Sequence, residues 1–203
     1  MATTALSCSA TTQLYIQAAN PYATGLYESQ SPDLVSDNFT IPGGGTIDSV
    51  SWEGALYAPS SYGISFFLIT ISADASGAPG SILSTNIIGN VNAADLNIAY
   101  GPYEYFYYGT GISPFHATAG TPYWLSISAG TNSIWGWANS SAGDGKLFVG
   151  PTEEMGDTNF IFFGTPDPAV VPTTATPEPS SMMLLGSGIL TMAAVARRRF
   201  LKM

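Results

Sequence analysis

The chain has 203 residues, of which 45% are hydrophobic and only 9% are charged, a composition that excludes a disordered polymer and leaves room for one domain with a sizeable core. Four of its five bases (Arg197, Arg198, Arg199 and Lys202) close the chain, and the residues before them set Lys146 against all 14 acids, a net of −13. Such a body repels phosphate backbones, which excludes nucleic acid as a partner. Cys8 is the single cysteine, which excludes an internal disulfide and a thiolate metal cluster.

Residues 1–35 are small and polar around the short apolar patch Gln13-Leu14-Tyr15-Ile16, which predicts a leader with a first edge strand. Ser36–Ile41 alternates with Phe39 and Ile41 on one face before Pro42-Gly43-Gly44-Gly45 breaks it. Thr46–Tyr57 reads as a strand with Val50, Trp52, Gly54 and Leu56 on one face. Tyr62–Ala73 holds the run Ile64 to Ile71, β-branched and aromatic, which predicts a strand covered on both faces.

Gly77-Ala78-Pro79-Gly80 turns the chain into Ser81–Ile88, and Asn90–Pro102 is expected to be a polar connection. Tyr103–Tyr108 is the next strand, closed by Gly109 and Gly111. Tyr123–Ser128 alternates cleanly, and Ile134–Ala138 follows a short turn. Asn139–Gly145 loops out, Lys146–Val149 offers a pairing segment, and Asn159–Phe163 closes the domain. Short strands with turn signals every 8–15 residues and no amphipathic helix predict an all-β fold over 36–164, a jelly-roll-like β-sandwich. Residues 165–176 carry proline and threonine in the proportions of a stiff extended stalk.

Residues able to carry chemistry are few. One histidine, His116, builds neither a triad nor a metal cluster, and its place before a turn predicts a surface residue. Glu53 and Glu104 lie on predicted strands, and as a hydrolytic pair they would have to stand about 5–9 Å apart. Asp144 in the 139–145 loop, with Glu153, Glu154 and Asp157, offers oxygen ligands for a structural calcium, while solvated loops explain the same residues. Asp74 reads as a turn residue. Trp135 and Trp137 share one strand face, as do Tyr103, Tyr105 and Tyr107, and either set is a candidate platform for stacking sugar rings. The competing reading packs the tryptophans into the core.

The last 27 residues, Pro177 to Met203, have a different character. Pro177-Glu178-Pro179 precedes 17 uncharged residues, Ser180–Ala196, and then Arg197, Arg198 and Arg199. A helix over 180–196 would span roughly 25 Å against a bilayer core of about 30 Å, at the lower limit for a transmembrane segment. Basic residues 197–203 directly after it predict that this end faces the cytoplasm and the body faces outward.

A Pro-Glu-Pro tripeptide, a short apolar helix and a terminal arginine cluster resemble the PEP-CTERM sorting signal of Gram-negative bacteria. The resemblance covers about an eighth of the chain (177–203). It implies recognition by exosortase at Pro177, Glu178 and Pro179, a membrane stop at Arg197, Arg198 and Arg199, and residence in the inner membrane before release to the surface. The body also resembles β-sandwich ectodomains found ahead of this signal, through Asp37-Asn38-Phe39-Thr40, Val50-x-Trp52-x-Gly54, the Gly-x-Pro-Gly turn ending at Gly80, Thr118–Ser126 and Trp135-Gly136-Trp137. No agreed activity or site comes with that second resemblance. The implied role is non-enzymatic, in an envelope, exopolysaccharide or biofilm matrix, with extracellular polysaccharide as a partner. A carbohydrate-binding module and a glycan-active hydrolase remain as alternatives.

Export needs a signal, and Met1–Ala10 has neither a basic start nor a 7–15-residue apolar core. The expectation is an export signal upstream of Met1. A reporter fused behind a chain beginning at Met1 should therefore stay in the cytoplasm, and its appearance in the periplasm would refute the expectation.

Overall fold

The computed structural model describes residues 12–18, 25–29, 34–57, 64–89, 91–100, 103–130 and 134–169, with backbone alone for 57, 92–100 and 103–107. Regular structure among them is entirely β-strand. The first of the chain's two units runs from Met1 to Asp167, and the second, Pro168–Met203, is described only at its first two residues.

Strand Gly45–Tyr57 (β4) is the axis of the larger sheet. Its predicted inward face holds, with Val50, Trp52 and Leu56 buried. One edge of β4 pairs along its whole length with Tyr103–Ala117 (β8), from Gly45 opposite Ala117 to Tyr57 opposite Tyr103. The other edge is shared. Phe160–Pro166 (β14) takes the first part, ending with Phe160 opposite Trp52. Trp135–Ser140 (β10) takes the rest, with Trp137 opposite Gly54 and Trp135 opposite Leu56.

Thr12–Gln17 (β1) lies beyond β14, Leu26–Glu28 (β2) beyond β10, and Asn92–Tyr100 (β7) beyond β8. The two-residue strand Asp157–Thr158 (β13) pairs the end of β10 just ahead of β14. The second sheet runs Thr152–Met155 (β12), Lys146–Val149 (β11), Val35–Thr40 (β3), Pro122–Gly130 (β9), Phe66–Asp74 (β5), Pro79–Ile88 (β6), antiparallel throughout.

The two sheets pack face to face as a β-sandwich, and aromatic rings from both meet in the core. Phe67 of β5 packs edge-on against Trp52, Tyr108 and Trp135, with ring centroids 4.9, 5.0 and 5.2 Å away. Phe39 of β3 meets Phe162 of β14 at 4.7 Å. Each such pair contributes about 0.5–1.5 kcal/mol beyond the area it buries.

Three expectations change. The polar connection 90–102 contains strand β7, which pairs β8. Gly109 and Gly111 do not end β8, because β4 supplies hydrogen bonds past both. Strand β5 is covered on both faces only in its second half: Phe67, Ile69 and Ile71 are buried on one face, and on the other Thr70 and Ser72 are buried while Phe66 is exposed and Leu68 half-buried. The edge strand expected in residues 1–35 is β1, at the end of the larger sheet, and 26–28 adds the short strand β2 beside β10.

Gly54 sits where β10 takes over the edge of β4. A Cβ there would lie 2.6 Å from Cζ2 of the buried Trp135 and 2.8 Å from the Gly136 carbonyl oxygen. Gly54→Ala should therefore cost about 1–3 kcal/mol by overpacking and lower the thermal midpoint by several degrees, measured by circular dichroism.

Candidate functional site

Alternation along β3 puts Val35, Asp37 and Phe39 on one face, and that face is the core. A carboxylate thus stands at a core position, opposite Leu125 and Leu147 in its own sheet. Asp37 and its partners Gln17 and Thr158 are 0–1% exposed. The partners come from the other sheet, so the cluster spans the sandwich.

Asp37 Oδ2 accepts from Gln17 Nε2 at 2.7 Å, from Thr158 Oγ1 at 2.8 Å and from the Thr158 amide. Gln17 Nε2 also donates to the Thr158 carbonyl at 2.9 Å, and Tyr15 Oη donates to Gln17 Oε1 at 2.8 Å. Asp37 Oδ1 is buried without a hydrogen bond of ordinary geometry. Beside the cluster, both carboxylate oxygens of the buried Asp157 accept from the Gly145 amide, at 3.0 and 3.1 Å.

Burial away from water pushes the Asp37 carboxyl up to about 7 from 3.8, against the pull of the two Thr158 donors and with Asp157 pushing the same way. Burial also raises Asp157. The Tyr15 phenol is pushed up to about 12, first by burial and then by Asp37, Asp157 and Asp144, so it stays a donor across the physiological range. Chemically, the cluster offers a base near neutrality, a hydroxyl and an amide whose carbonyl already accepts a donor.

The residues expected to carry function fall elsewhere. Trp135 and Trp137 are fully buried, and Trp137 Nε1 donates to the Asn159 carbonyl at 2.8 Å. As core residues they present no face to a sugar, which corrects their candidacy as glycan contacts. Tyr103, Tyr105 and Tyr107 stand in the ladder opposite Tyr57, Ala55 and Glu53, and their side chains lie outside the described residues. Glu104 stands opposite Leu56, three ladder positions from Glu53.

The four candidate calcium ligands do not converge. Glu153 and Glu154 are consecutive on β12 and so point to opposite faces; Glu153 pairs with Lys146 at 3.0 Å. Asp144 is exposed and accepts from Asn38 Nδ2 at 2.8 Å, while Asp157 turns inward. Among the described residues no group of three or more His, Cys, Asp or Glu is placed to hold a metal ion. His116 lies at the surface 3.1 Å from Asp167. Asp74 caps its turn through the Gly77 amide and accepts the Trp124 indole at 2.8 Å.

The cluster had one signal in the sequence. Stepping back by two from Ile41 and Phe39 lands on Asp37, an acid in phase with a core face. Gln17 and Thr158 carry no comparable mark.

Residues 175–199 match the PEP-CTERM protein-sorting motif. No curated protein and no solved structure matches the chain. The matched segment includes Pro177, Glu178, Pro179 and the arginines 197–199, and it marks an exported surface protein processed by exosortase. That segment and the expected helix 180–196 lie outside the described residues; among the described residues no helix is long and apolar enough to cross a membrane.

The pH dependence of stability follows from Asp37. The folded carboxyl binds its proton more tightly than the unfolded one, so the folded state is favoured at low pH and loses that advantage as pH rises from roughly 4 to roughly 7. The loss is at most about 4 kcal/mol. Asp37→Asn should flatten this part of the curve, seen as a smaller drop in thermal midpoint between about pH 5 and about pH 8 than in the parent protein.

Proposed function

We propose that the chain is a non-enzymatic structural protein of a bacterial envelope or extracellular matrix, delivered to the outside by exosortase. The observation that carries this reading is the sorting motif at 175–199 with its closing arginines. In this reading residues 180–196 anchor the chain in the inner membrane with the body outside, and the Pro/Thr-rich stretch 165–176 holds the body away from the bilayer until cleavage.

The body suits such a role. Its core is built from tightly packed aromatic rings, and it needs no disulfide. A net of −13 ahead of the arginine cluster keeps copies soluble at high local concentration. In an exopolysaccharide matrix it would meet neutral glycans directly and anionic ones through bridging cations.

The native C-terminus tests the proposal. Mass spectrometry of surface material should find peptides ending near Pro177–Pro179 and none reaching the arginines. An intact tail to Met203 confined to the inner membrane would make the segment a plain anchor and sink the exosortase reading.

A further inference from the structure

We propose that Gln17 and Thr158 become joined by an intramolecular ester, formed by the protein itself, with Asp37 carrying the proton and Tyr15 polarising the amide. This goes beyond the sorting reading and does not depend on it.

Four groups needed for acyl transfer share one hydrogen-bond network. Thr158 Oγ1 is the nucleophile, and its hydroxyl already donates to Asp37 Oδ2 at 2.8 Å. The electrophile is the Gln17 side-chain amide, whose nitrogen donates to that same carboxylate oxygen at 2.7 Å. Its carbonyl oxygen accepts the Tyr15 hydroxyl at 2.8 Å, where negative charge would develop on attack. One carboxylate oxygen therefore touches both the proton to be removed and the group that must leave. Burial raises Asp37 toward neutrality, which suits a group that must take a proton and give it back.

The step balances without an added reagent. Asp37 Oδ2 takes the Thr158 hydroxyl proton as Oγ1 bonds to Gln17 Cδ, and the carbonyl electron pair moves to Oε1, held by Tyr15. Collapse restores the carbonyl, breaks Cδ–Nε2 and passes the proton from Asp37 to Nε2, which leaves as ammonia. Amide plus alcohol gives ester plus ammonia, and Asp37 ends ionised as it began.

An amide is ordinarily the more stable partner, so two features must favour the ester. Holding both groups in one site supplies the high effective concentrations, about 10⁵–10⁸ M, seen in well-oriented intramolecular reactions. Ammonia is also lost to solvent and protonated there, while Gln17 and Thr158, at 1% and 0% exposure, leave water little access to hydrolyse the product. A purely hydrogen-bonded network would satisfy the same donors, and the mass of the protein separates the two.

The full chain, purified folded, should weigh less than its sequence mass by one ammonia. Digestion should yield one branched species joining the peptide around Gln17 to the peptide around Thr158. Thr158→Val, which keeps the side-chain shape, and Asp37→Asn should both restore the sequence mass, and Tyr15→Phe should slow the loss. Full sequence mass in the folded parent protein overturns the proposal. So does a deficit that maps to another residue pair, or one that persists in Thr158→Val.

Discussion

Strand β4 has two edges and three long neighbours, and the rest of the sandwich follows from how they are shared. Strand β8 occupies one edge completely, so β14 and β10 must divide the other, meeting near Trp52 and Gly54. At that seam the ladder cannot be continuous. The chain bridges it with β13, whose Thr158 pairs Asn139 of β10 just before Phe160 joins β4. Backbone groups at a handover still need partners when water is excluded. The Asn159 amide finds the Ala138 carbonyl at 2.9 Å, the Asn159 carbonyl takes the Trp137 indole, and the Thr158 carbonyl takes Gln17. Asp37 takes the Thr158 amide. The buried polar cluster is thus a consequence of the shared edge, assembled from side chains that close the hydrogen-bond account of the seam.

That account does not require a carboxylate. An asparagine at 37 could accept from Thr158 through its oxygen at no cost in buried charge, whereas an aspartate there is held well above its ordinary titration range by desolvation. What the carboxylate adds is an exchangeable proton between a hydroxyl and an amide. A stability role alone would favour the neutral side chain, and the choice of the costly one fits a site that needs proton transfer.

The sequence disclosed what depends on period and little of what depends on pairing. Val50, Trp52 and Leu56 lie on the inward face of β4, and Phe39 and Ile41 turn inward together along β3 and just past it, because alternation is local. Strand β7 escaped notice: Asn92-Ala93-Ala94-Asp95 has low intrinsic strand preference and is held by pairing with β8. Gly109 and Gly111 looked like stops for the same reason, since a glycine weakens a strand only until neighbours hold it. Trp135 and Trp137 share a face in either reading, and only the presence of Phe67 and Phe160 against them decides that the face is core. The Asp37 cluster joins residues 20 and 121 positions apart, a distance that no periodicity reports.

The same pairings determine how the body bears load. The last strand, β14, ends at Pro166, at the far end from Phe160. Strand β14 runs antiparallel to β1, with Gly164 opposite Thr12 and Phe160 opposite Gln17. A pull on the C-terminal end therefore peels β14 from β1 and β4 together, toward Phe160 and one pair at a time, the geometry in which hydrogen bonds resist least. The peel arrives at Gln17 and Thr158. A covalent bond between those two side chains stands where unzipping would otherwise pass into β13 and the seam. In a chain with one cysteine, no disulfide can occupy that place. The sole covalent chemistry left to the fold there is that of hydroxyl, amide and carboxylate, the groups the seam brings together.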